Sequence, residues 1–108
     1  DNQQFATFLG AVAGMVIGAD IGASLDELDR LMLNNNYQTA LETSPTNTAV
    51  AWKNPDSGNS GSVKPTRTFY RADTVCREYT QEIIVGGRKE QGYGQACRSA
   101  DGDWQIVK

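Results

Sequence analysis

Apolar and polar positions change rhythm twice along this chain. Over residues 5–23, FATFLGAVAGMVIGADIGA, apolar side chains run on with only small residues and one late aspartate between them. From Leu25 to Leu41 they recur as Leu25, Leu28, Leu31, Met32, Tyr37, Ala40 and Leu41, close to the helical period. After Asn47 they alternate, the rhythm of a strand with one face buried. The pattern therefore predicts two helical stretches followed by a run of strands.

Within the first stretch Gly10, Gly14, Gly18 and Gly22 stand at strict four-residue spacing. On a helix each such step advances about 400°, so the glycines form one slowly drifting groove that another backbone can approach. That is the packing mode of membrane helix pairs, and it predicts a glycine-zipper helix that meets a membrane or another copy. Two features hold the alternative open, ordinary close packing in a water-exposed fold. Each Gly costs a helix about 0.8–1.0 kcal/mol relative to Ala. Asp20 also stops the uncharged run short of the roughly 20 residues that span a bilayer.

Ser24-Leu25-Asp26-Glu27 has the form of a capping box with Ser24 as the cap. Asp26, Glu27 and Asp29 then suit the positive end of the helix that follows. Asn34-Asn35-Asn36 is weak helix material. Pro45 ends the helix by Ser44, because it disfavours helical geometry in the residue before it.

The strands are punctuated by turn residues. TAVAWK is followed by NPDSGNSGS, which is loop chemistry over residues 54–62. A strand from Ser62 to Arg71 contains Pro65, which restricts it to an edge or a strand end. Gly86-Gly87 marks a two-residue hairpin between VCREYTQEIIV and RKEQGYGQACR, since both turn positions need positive φ. With Val85 opposite Arg88, Thr80 faces Tyr93, Tyr79 faces Gly94 and Cys76 faces Cys97. In this register Val75, Tyr79, Ile83 and Val85 share a face with Gly92, Gly94 and Ala96, and the glycines leave room for a helix across the sheet. The other face, Cys76, Glu78, Thr80 and Glu82 against Cys97, Gln95, Tyr93 and Gln91, is largely polar. A slipped register with a longer loop is the rival, and it separates the cysteines unless a bulge restores them. Asp101-Gly102 reads as a further two-residue turn, which returns the chain as Trp104–Val107.

These elements predict an α+β fold. A glycine-zipper helix and an amphipathic helix pack on a four- to five-stranded antiparallel sheet, with residues 1–23 as the zipper segment and 24–108 as the folded domain. Cys76 and Cys97 are the only cysteines. In the tight register they occupy a non-hydrogen-bonded pair, where Cα atoms approach to about 4.5 Å, at the short end of the disulfide range. A bridge implies an oxidising compartment. Two reduced cysteines in adjacent strands are the other reading, and the polar neighbours on that face weigh against it.

Charge and composition narrow the function. The net charge is −3, with six carboxylates and one Arg in residues 1–43 and a basic excess after them. No basic stripe supports nucleic-acid binding. There is no histidine, so the usual general base and metal ligand is absent, along with Ser–His and Cys–His nucleophile pairs. Asp73, Asp101 and Asp103 lack the calcium-loop spacing and its terminal Glu. Neither a catalytic residue, a metal site nor a cofactor is expected. Trp52, Tyr70, Tyr93 and Trp104 could form a binding platform, although Trp buries so much area that core packing is the default. The chain shows no signal peptide, which predicts a processed or trimmed form.

The glycine row GAVAGMVIGADIGA, LDELDR, ALETSP and AWKNPDSGNSGSVKP, and above all CREYTQEIIVGG with YGQACRSADGDWQIV, resemble the 17 kDa surface antigens of rickettsial type. The resemblance implies a lipid-anchored outer-membrane protein with a glycine zipper and a disulfide-bearing C-terminal domain. It supplies no catalytic residues. Two departures stand out: no cysteine lies near the start for lipidation, and no second glycine-rich segment precedes the first. The resemblance favours a structural role at the envelope, with partners in the membrane or in further copies of the chain. The alternative is a binding module whose aromatics meet peptidoglycan, a protein or a host factor.

Overall fold

A computed structural model describes residues 24–107 in full, together with the backbone of residues 11–12 and 15–16. β1 (Ala11–Val12) and β2 (Met15–Val16) pair antiparallel, with Ala11 opposite Val16 and Val12 opposite Met15. These four residues are extended where the four-residue spacing predicts helix. The physical reason lies in composition: glycine disfavours helix, while β-branched Val suits a strand. Gly10, Gly14, Gly18 and Gly22 themselves lie outside the described residues.

One helix, α1 (Glu27–Thr43), packs on a curled five-stranded antiparallel sheet. Its strands lie in chain order: β3 (Val50–Lys53), β4 (Ser60–Arg71), β5 (Thr74–Val85), β6 (Arg88–Arg98) and β7 (Trp104–Val107). The capping box is real but displaced from the expected position. Asp26, not Ser24, is the cap; its carboxylate accepts from the Asp29 N–H at 2.7 Å, and the Asp29 carboxylate accepts from the Asp26 N–H at 3.0 Å. Aspartate serves at both positions because a short carboxylate reaches the first-turn donors.

The helix buries Leu33, Tyr37, Ala40 and Leu41, together with Asp29 and Asn36. Leu28 and Leu31 remain exposed, at 44% and 56%, so the stripe that covers the sheet is rotated away from them. Leu25, just ahead of the helix, joins the core instead. At the far end, no basic residue sits in the last helical turn. Arg77 of β5 takes that role: its guanidinium donates to the carbonyls of Leu41 at 2.9 Å and Ala40 at 3.4 Å. A sheet-borne cation thus meets the negative end of the helix.

The hairpin register is the tight one. Val85 faces Arg88, Tyr79 faces Gly94 and Cys76 faces Cys97, and both turn glycines have positive φ, 58° and 80°. The glycines, however, do not open space for the helix. Tyr79 folds across its partner Gly94, where an added Cβ would meet the phenol oxygen at 2.9 Å. Trp52 likewise lies over its partner Gly61, whose hypothetical Cβ would stand 2.6 Å from the indole nitrogen. Large rings fill glycine sites across the strand, and α1 packs on those rings: Tyr37 meets Tyr79 edge-on at 5.5 Å.

Two connections and one strand depart from expectation. Ala72, at φ 52°, helps close a two-residue turn between β4 and β5 that no Gly or Asn announces. Between β6 and β7 the loop holds five residues, 99–103, because Ser99 N–H donates to Asp103 O and Gly102 N–H to Ser99 O. Register along β4 shifts between Pro65 and Arg67, so the proline falls at a bulge. Beyond Val63, β4 has lost its pairing with β3, as a proline requires.

Candidate functional site

A buried carboxylate ties the end of the domain where the helix starts. Asp29 is fully buried and accepts from Asn54 Nδ2 at 2.8 Å, Ser57 Oγ at 2.7 Å and Asn59 Nδ2 at 2.7 Å, besides the Asp26 N–H. Asn59 Oδ1 in turn accepts from the Gly86 N–H at 3.2 Å. One carboxylate therefore joins the helix start to the β3–β4 turn, and through Asn59 to the central hairpin turn. Burial works against its charge, but the hydrogen bonds outweigh it and hold Asp29 below the ordinary carboxylate range. Every acceptor direction is occupied from within the fold, so this network is a structural joint and offers nothing to a substrate.

The face of the sheet opposite α1 has a different character. Alternation brings Lys53, Lys64, Arg67, Arg71 and Lys89 to it, against the carboxylates Glu78 and Glu82. This face is therefore basic on a chain whose net charge is −3. Both acids are already engaged. Glu78 accepts from Arg67 in a two-pronged contact, at 2.9 and 3.1 Å, and from Gln95 Nε2 at 3.0 Å. Those donors, Arg67 first, lower its pKa. Glu82 accepts from Gln91 Nε2 at 2.9 Å and meets Lys89 Nζ at 3.2 Å. Arg67 also stacks over Phe69, 4.5 Å from the ring centre.

Between these two acidic rows the curled sheet forms an open trough of about 480 Å³. Ser62, Lys64, Thr80, Glu82, Gln91 and Tyr93 line it. The row across its middle is Lys64–Thr80–Tyr93, which contains no acid. Among the described residues the Lys64 ammonium pairs with no carboxylate, and Tyr93 is 81% exposed.

The four aromatics read from the sequence divide two and two. Trp52 and Trp104 are core residues. The Trp104 indole N–H donates to Glu42 Oε1 at 2.9 Å, and its backbone N–H donates to Gln38 Oε1 at 2.7 Å. Tyr70 and Tyr93 are exposed, but they occupy opposite sides of the sheet: Tyr70 pairs with Val75 on the helix side, and Tyr93 with Thr80 on the open face. The four do not form one platform. Cys76 and Cys97 are bridged, with Cα atoms 4.0 Å apart, on the open face at the far end from the hairpin turn. The bridge restrains strands the turn already holds, so its contribution is set at about 1–3 kcal/mol.

Hairpin register alone placed Thr80, Glu82, Gln91 and Tyr93 together. Ser62 and Lys64 were missed, because their register depends on the bulge after Pro65. Among the described residues no group of His, Cys, Asp and Glu could hold a metal ion. No helix among them is long and apolar enough to cross a membrane.

A small α+β domain stapled by a cross-strand disulfide, with one basic open face, is the class of protein these features define. The chain belongs to the 17 kDa outer membrane surface antigen family, whose model matches residues 39–105. It is 47% identical to a 17 kDa surface antigen of Rickettsia bellii, over 96% of this chain and 71% of that protein. It is 50% identical to the namesakes in Rickettsia japonica and Rickettsia conorii, over 79% and 77% of this chain and about half of each relative. No solved structure matches the chain.

Proposed function

We propose that this chain is a non-enzymatic structural protein of a bacterial envelope, held at the outer membrane. In this reading the segment 1–23 makes the association, with lipid or with further copies, and the disulfide-stapled domain 24–108 stands at the membrane face. The observation that carries it is the placement of the apolar glycine row directly ahead of a domain of the outer membrane surface antigen family. The absence of histidine and the engagement of Asp29 within the fold speak against an acid–base site.

Close backbone approach at the glycine row is the physical basis of the association, whether the row is helical or extended. Replacing Gly14 and Gly18 together by leucine should therefore weaken self-association by roughly tenfold or more, the effect of about 1–3 kcal/mol of overpacking. Sedimentation velocity across a concentration series reads this directly. A double variant that associates as the parent does would remove the row from the interface.

A further inference from the structure

The trough on the open face has a recognisable chemistry, and it goes beyond a structural role at the envelope. We propose that it binds an acidic saccharide, with a sugar ring on the face of Tyr93 and its carboxylate at Lys64. Three features on this surface lead to that ligand class.

The first is the middle row. Lys64, Thr80 and Tyr93 lie side by side on adjacent strands, so the Cα atoms of Lys64 and Tyr93 stand about 9–10 Å apart across the sheet. That span suits a six-membered ring carrying one anionic substituent. The flanking acids do not cancel the cation: Glu78 is taken up by Arg67 and Gln95, and Glu82 by Lys89 and Gln91. The whole face carries five cations against two acids, which attracts an anion even though the net charge of the protein is −3.

The second is the kind of group the trough presents. A strand paired on both sides has its N–H and C=O groups taken by its neighbours, so at β5 the trough offers only side chains. Peptides recognised by sheets chiefly use free edge backbone, which here lies only at the margins of the trough, on β4 beyond Val63 and on β6 before Gln95, so a peptide is set against the saccharide in the test. Hydroxyls from Ser62 and Thr80 and the carbonyl oxygen of the Gln91 amide are instead the partners that sugar hydroxyls need.

The third is shape. A concave trough of about 480 Å³ lies in the range of small-ligand sites. A lipid surface would call for a convex face with apolar side chains to insert. Here the exposed ring is a tyrosine among polar neighbours.

The test uses the whole chain and a hexamer of galacturonic acid, titrated by calorimetry in low salt. A neutral glucose hexamer, a glutamate hexamer and anionic phospholipid vesicles serve as comparison ligands. The galacturonate hexamer should bind, and Lys64→Gln and Tyr93→Ala should each weaken it about tenfold, the equivalent of about 1.4 kcal/mol. Tyr70→Ala, on the opposite side of the sheet, should leave it unchanged. Both trough residues are at the surface, so far-ultraviolet circular dichroism and the thermal unfolding midpoint should match the parent for each variant. The proposal is overturned if the galacturonate hexamer does not bind at millimolar concentration, or if neither trough variant weakens it. It is also overturned if the glutamate hexamer or the vesicles bind as tightly with the same dependence on Tyr93. Vesicle binding that survives Tyr93→Ala belongs to residues 1–23 and leaves this proposal standing, so the two readings fail independently.

Discussion

Replacing Asp29 by alanine should cost about 3–5 kcal/mol of folding stability, the range for breaking a buried, fully hydrogen-bonded charge network. The substitution leaves the amides of Asn54 and Asn59 and the Ser57 hydroxyl without the acceptor that now satisfies all three. Each of the two buried amides orphaned in this way costs about 1–3 kcal/mol, while exposed Ser57 turns to water. It also removes half of the capping box. For a domain of this size, stable by about 5–15 kcal/mol, such a loss is severe. Urea unfolding at pH 7 measures it, and a loss below about 1 kcal/mol would contradict the role given to Asp29. The same residue sets a pH dependence. Its folded pKa is lowered, so its contribution is fully present above the unfolded value of about 4 and fades as pH falls through the lower folded value. The parent should therefore lose stability on acidification below about pH 4 more steeply than the Asp29→Ala variant does.

Tyr79→Ala is the second large effect, again about 3–5 kcal/mol, as for other buried aromatics cut back to alanine. The ring does two things at once. It covers Gly94 on the neighbouring strand, and it meets Tyr37 edge-on at 5.5 Å, which seats α1 on the sheet. Removing it opens a cavity between the two layers and leaves Gly94 bare. Tyr79→Phe keeps the ring and should cost far less. Thermal unfolding followed by circular dichroism separates the two variants; equal losses would mean that ring packing is not what joins helix to sheet.

Much of this fold is legible in the sequence, for local reasons. Gly86-Gly87 fixes a two-residue turn, the turn fixes the register, and the register places Cys76 opposite Cys97. The five-strand order follows from successive short connections. Where the reading slipped, a distant partner decided. Leu28 and Leu31 fit the helical period as well as Leu33 does, but only the sheet determines which flank is covered. Asp29 resembles any acid in a first helical turn until Asn54, Ser57 and Asn59 close around it from about 25–30 residues away. Asp26 three residues before it, and a turn dense in amides and hydroxyls, were the available signals. Gly94 looks like space for a helix, yet it is filled by the ring opposite it, as Gly61 is by Trp52. The bulge after Pro65 hides Ser62 and Lys64 from any count along the chain, so the β4 side of the trough emerges only in three dimensions.

The division of labour between the glycine row and the stapled domain is best tested by co-flotation with phospholipid vesicles, comparing the whole chain with one that lacks residues 1–23. Thiol alkylation of the soluble fraction reports in the same experiment whether the domain is intact. The account predicts that the whole chain floats with the vesicles, while the shortened chain stays in the dense fractions with no alkylatable thiol. Equal flotation of both, or of neither, would contradict it.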